Sequence, residues 1–158
     1  MTLLTDFLPE CSSGSADLPI LIAGPCVIEG PQTLEYALAI QEALQGLPCH
    51  WLFKASFDKA NRTSVEGGRG VGLSNGLETL AEIKSQLGVP LVTDVHLPEQ
   101  CAPVAEVADV LQIPAFLCRQ TDLLLAAGQT GKVVNAKKGQ FLAPEGMAQV
   151  AQKIASTG

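Results

Sequence analysis

The chain has 158 residues, 47% hydrophobic and 16% charged, with a formal net charge of −6 and a mean hydropathy of +0.26. That length suits one domain with a real core, and the composition excludes a disordered polymer. An acidic balance argues against general nucleic-acid binding, because a phosphate backbone is repelled except at a local basic patch. No window of 18 consecutive apolar residues predicts a membrane-spanning helix. The first residues lack the basic and then apolar regions of a secretory signal. Cys11, Cys26, Cys49, Cys101 and Cys118 are odd in number and never spaced as C-x-x-C. They predict a reducing cytoplasm rather than a disulfide framework or a closed zinc site.

Residues 1–18, with Ser12-Ser-Gly-Ser15, read as a leader or short hairpin, and residues 19–158 as the domain proper. Leu18–Ala23 is a continuous apolar run closed by Gly24-Pro25, which predicts a strand buried on both faces. Leu34, Ala37, Leu38, Leu44 and Leu47 place one helical face over 33–47. Trp51–Lys54 predicts a second strand, followed by a basic loop to Ser64, a glycine-rich segment, and a helix over 77–87 stopped by Gly88. Pro90–Asp94 predicts a third strand, with a helix opening at Pro98. Val110–Ile113 and Lys132–Asn135 predict two more strands, with helices over 121–127 and from Pro144 to Ile154. Strand and helix alternate five times, so the fold class is α/β, a parallel sheet with helices outside it.

Polar side chains gather at the ends of these strands: Cys26, Lys54, Asp94 and His96, Gln112 and Arg119, then Asn135, Lys137 and Gln140. Such residues at the C-terminal ends of parallel strands are the layout of a (β/α) barrel active face. Eight of the ten Lys and Arg residues fall in the blocks 54–69 and 119–138. Lysine point charges, arginine donor forks and neighbouring hydroxyls suit phosphate or carboxylate oxygens, although basic residues at strand ends can equally just solvate a rim. A complete (β/α)8 barrel takes about 250 residues, so this chain holds about five of its units.

Ala23-Gly-Pro-Cys-Val-Ile-Glu29, Phe53–Ser64, Thr93-Asp-Val-His96, Leu111–Leu124 and Val134–Pro144 together resemble the 3-deoxy-D-manno-octulosonate-8-phosphate synthase family. The resemblance runs from about Leu21 to the end, in the right order, and covers the first part of that enzyme. It implies a TIM (β/α)8 barrel and a homotetramer that condenses phosphoenolpyruvate with D-arabinose 5-phosphate for lipopolysaccharide synthesis. Lys54, Lys59, Arg119, Lys137 and Gln140 match positions around phosphoenolpyruvate; with Asp94, which lies near the sugar hydroxyls, the lysines form the implied catalytic set. Gln112, Ala115 and Phe116 match further substrate contacts, and Asn61, Arg62 and Ser64 match the segment that holds the sugar phosphate. Cys26 matches the cysteine of metal-dependent members, as does Gly139 in Lys-Lys-Gly-Gln, which implies a divalent metal such as Zn, Mn or Fe. A lone cysteine after a strand also reads as a small buried hydrophobe. The family's other metal ligands lie in later strands, beyond Gly158.

Val65-Glu-Gly-Gly68 departs from the family's usual loop. A related class, 3-deoxy-D-arabino-heptulosonate-7-phosphate synthase, shares the Gly-Pro-Cys turn but reads differently at 59–64 and 112–120. The competing reading is non-catalytic: a phosphate-binding remnant, or a fragment that works only with a complementing chain, so the isolated chain is expected to show no turnover.

Overall fold

The computed structural model describes residues 18–158. The expected leader or hairpin lies almost entirely outside them. Five strands, β1 (Ile20–Ala23), β2 (His50–Lys54), β3 (Leu91–Asp94), β4 (Val110–Ile113) and β5 (Val133–Ala136), form one sheet in sequence order. Every neighbouring pair is parallel, as the alternation of elements predicts. The crossovers carry the helices α1 (Gln32–Ala43), α2 (Leu73–Leu87), α3 (Pro98–Val107) and α4 (Thr121–Gln129), and α5 (Met147–Ala155) follows β5. Short 3-10 turns occupy Ala115–Leu117 and Pro144–Gly146. The result is five β/α units of a curled, partial TIM barrel.

Side chains alternate across each strand, so the sheet has two unlike faces. Phe53, Leu91, Leu111 and Ile113 point outward and meet Ala37, Leu80, Ile83, Val104, Leu124 and Val150 from the helices, all buried. Burying each large side chain of this kind contributes about 1.5–3 kcal/mol. On the concave face Leu52, Val92 and Val110 pack together, with Val133 against them.

β1 departs from expectation. It is a sheet edge rather than a strand buried on both faces, and Ile20 and Ile22 remain 41% and 42% exposed. Apolar sequence specifies what a strand can bury, not whether a neighbour exists to cover it. In α1, Thr33 and Ala37 are buried while Leu38 is exposed, and the helix ends at Ala43, short of the exposed Leu47, so the stripe is narrower and shorter than the leucine spacing suggests. α2 begins at Leu73, four residues before the expected start, and Gly76 explains why its first turn reads poorly: a Cβ there would collide with that of Phe57. α2 does end as predicted, on a left-handed Gly88 whose N–H reaches the Lys84 carbonyl.

A polar staple ties the base of the sheet together. Lys84 Nζ donates to Asp109 Oδ1 at 2.6 Å and to the Val107 carbonyl at 3.1 Å. The other Asp109 oxygen accepts the Leu91 N–H at 2.9 Å. One buried carboxylate thus joins α2, the first residue of β3 and the approach to β4.

Candidate functional site

Because the strands are parallel, their C-terminal ends share one rim. One step above the Leu52–Val92–Val110–Val133 rung on the concave face stand Lys54, Asp94, Gln112 and Asn135. They are linked in a row. Asn135 Nδ2 donates to Gln112 Oε1 at 3.0 Å, and Gln112 Nε2 donates to Asp94 Oδ1. Asp94 Oδ2 accepts the Ser56 hydroxyl and lies 3.3 Å from Lys54 Nζ and 3.8 Å from Lys59 Nζ. Both lysines also donate to Ser56 Oγ at 2.8 Å.

Burial opposes ionisation of Asp94, but Lys54, the Ser56 and Gln112 donors and Lys59 outweigh it and hold the carboxyl below its ordinary value. Burial also pulls the Lys54 ammonium below the usual lysine value, against the attraction of Asp94. Lys54 is therefore under-compensated by the shared carboxylate, and a further anion would relieve it.

Lys54, Lys59, Asp94 and Gln112 line a cavity of ≈ 180 Å³ together with Asn61, His96, Pro114, Ala115, Phe116, Lys137 and Gln140. That is smaller than the usual 300–1,000 Å³ of drug-sized pockets, and fits a small polar ligand. Of the sequence-predicted residues, Lys54, Lys59, Asn61, Asp94, Gln112, Ala115, Phe116, Lys137 and Gln140 come together here. Arg62, Ser64 and Arg119 do not line it. Arg62 Nε donates to the Gly68 carbonyl, Ser64 Oγ accepts the Glu66 N–H, and Arg119 is exposed beyond the 3-10 turn. Lys138 donates to the Gly139 and Leu142 carbonyls and shapes the loop, whereas Lys137 faces the cavity.

The loop after β2 is closed by a bidentate Arg69–Asp58 pair (2.8 and 2.5 Å) and a 2.7 Å bond from the Lys59 N–H to the Arg69 carbonyl. Gly24 lets the β1 turn approach β2, since a Cβ there would strike the Lys54 carbonyl oxygen. Ser56 is the residue missed at the sequence level. It lies in the loop, yet continues the alternation of Leu52 and Lys54 onto the same face, which is the signal that could have found it.

Cys26 is exposed after β1, and among the described residues no three His, Cys, Asp or Glu side chains gather to hold a metal. The residues present do not build a metal centre by themselves.

His96 packs edge-on against Phe57, and its Nδ1 is buried without a hydrogen-bond partner. Burial lowers its pKa below 6.5, against Asp94 and Asp58, with Lys59 and Arg69 reinforcing the lowering. The folded chain therefore binds this proton less readily than the unfolded chain, so stability falls as pH drops through 6.5 toward the folded value. We expect the urea midpoint to fall more between about pH 7.5 and 5.5 in the native chain than in His96→Gln. Equal falls would show that His96 carries no such linkage.

Residues 6–158 match the family model of the DAHP synthetase I family. The chain is 57% identical over 140 residues to the 2-dehydro-3-deoxyphosphooctonate aldolase of Desulfatibacillum aliphaticivorans, covering 88% of this chain and 51% of that protein. It is 60% identical over 143 residues to the protein of the same name from Methylobacterium radiotolerans, covering 89% and 50%. For that from Bradyrhizobium diazoefficiens the figures are 61% over 142 residues, 89% and 50%. The chain spans about half the length of the curated relatives it matches.

Proposed function

From the premise that the chain belongs to the DAHP synthetase I family, we propose that it carries the phosphoenolpyruvate-binding part of a 3-deoxy-D-manno-octulosonate-8-phosphate synthase. The observation that carries this reading is the convergence of Lys54, Lys59 and Lys137, with Gln140 and the Asp94 network, on one small cavity at the strand ends. The lysines receive the carboxylate and phosphate of phosphoenolpyruvate, Asp94 faces the hydroxyls of arabinose 5-phosphate, and Asn61 lies toward its phosphate. C3 of phosphoenolpyruvate attacks the aldehyde carbon, water adds at C2, and the C–O bond to phosphate breaks. Cations fixed at the departing phosphate stabilise the charge that develops there.

Cys26 offers one thiolate, a soft ligand for a divalent transition metal whose remaining ligands come from outside these residues. A homotetramer in the cytoplasm completes the proposal. Fully exposed Val65 in the loop after β2, Phe116 at the cavity and Phe141 beside Gln140, the last two 58% and 59% exposed, support an oligomer. No described helix is long and apolar enough to cross a membrane.

A second reading is an anion-binding half that turns over only with complementing β/α units; among the described residues no strand pairs with the outer side of β1 or β5, which favours it. Calorimetric titration with phosphoenolpyruvate, followed by phosphate release on adding arabinose 5-phosphate and Mn²⁺, separates the two. We expect binding by the native chain, weakened at least about tenfold in Lys137→Ala. Binding with turnover supports the first reading, and binding without turnover the second. Absence of binding overturns both.

A further inference from the structure

Gln112 has two unlike ends, and its neighbours decide which faces where. Its Nε2 donates to Asp94 Oδ1, and its Oε1 accepts from Asn135 Nδ2 at 3.0 Å. If the amide turned over, its oxygen would face the acceptor-only carboxylate, and Asn135 would have to turn its own amide to accept the NH2. Acceptor would meet acceptor at Asp94. The observed arrangement is the one in which every contact along the row pairs a donor with an acceptor.

Asn135 does not line the cavity; it is half-buried on β5, two residues before Lys137. Its partner Gln112 is only 8% exposed, so water has little access to replace the lost bond. We propose that Asn135 is a positioning residue of the anion site, supplying from outside the cavity the donor that satisfies Gln112 Oε1 while the NH2 of Gln112 faces Asp94.

The consequence reaches the lysines. With the NH2 of Gln112 toward it, Asp94 is held as a carboxylate that balances Lys54 and Lys59 through direct approach and through Ser56. With the oxygen of Gln112 toward it, Asp94 would need a proton of its own to complete the contact, and the lysines would lose their counter-charge. His96, which also faces Asp94 with Asp58, Lys59 and Arg69 nearby, cannot substitute, because its lowered affinity for a proton leaves it without positive charge near neutrality.

The importance of Asn135 for turnover rests on the reading of the cavity given above, whereas the orientation itself is tested without any substrate. Leucine has about the size of asparagine but no donor, and aspartate has its shape but only accepts. Titrating the Asp94 carboxyl carbon by NMR in the ligand-free chain should give a midpoint about half a pH unit above native for Asn135→Leu and about one unit above for Asn135→Asp. A midpoint that does not move in either variant overturns the proposal. Should Asn135→Leu fail to fold, Asn135→Ala removes the same donor. Loss of phosphoenolpyruvate binding in the native chain would remove the cavity reading and leave this result standing.

Discussion

Asp94→Ala is expected to lower the unfolding free energy by about 3 kcal/mol, the scale set by leaving a buried charge without its partner. Lys54 and Lys59 have side chains only 17% and 12% exposed, and their shared carboxylate would be gone. Ser56 and Gln112 would lose their acceptor in the same step. The loss should shrink when inorganic phosphate is added, because an anion bound between the lysines stabilises the folded form by mass action. Native Asp94 titrates below its ordinary 3.8, so its contribution is complete above that pH and disappears as pH falls through the folded value. The acid limb of the stability curve should therefore be flatter in the variant. Urea unfolding with and without phosphate decides the matter; a variant within about 0.5 kcal/mol of native would refute the account of the lysines.

Asp109→Ala should cost about 2–3 kcal/mol. Asp109 is 8% exposed, and its removal orphans the Leu91 N–H at the start of β3 as well as releasing Lys84. The Lys84 side chain is 40% exposed and can return to water, so Lys84→Met should cost less, about 1 kcal/mol. Asp109→Asn, which keeps an acceptor for the amide, should fall between native and Ala. Chemical denaturation of the three variants provides the ranking; equal costs for Lys84→Met and Asp109→Ala would mean that the ion pair, not the backbone bond, dominates.

The architecture was legible because buried parallel strands and amphipathic helices have different lengths and periods. The bounds of β2, β3 and β4 agree with expectation to within a residue. What failed depended on neighbours. The run Ile20–Ala23 gives no sign that its concave side is uncovered, and Leu73-Ser-Asn-Gly76 looks like loop because the advantage of Gly76, room for Phe57, is tertiary. At the site, Lys54, Asp94 and Gln112 could be aligned because strand ends share a rim. Ser56 sits past the strand end, so its place on the same face follows only if the alternation of Leu52 and Lys54 is carried two residues into the loop.

Spatial order in this sheet is also the order of synthesis, since each strand pairs with the one translated just before it. The molecule can therefore grow at the ribosome one unit at a time, adding mostly near-neighbour contacts. The charged row cannot. Lys54 leaves the ribosome 40 residues ahead of Asp94, an interval of about 2–8 s at typical elongation rates. For that time the lysine is a solvated cation on an unfinished surface, and the site acquires its charge balance only as the nascent chain lengthens.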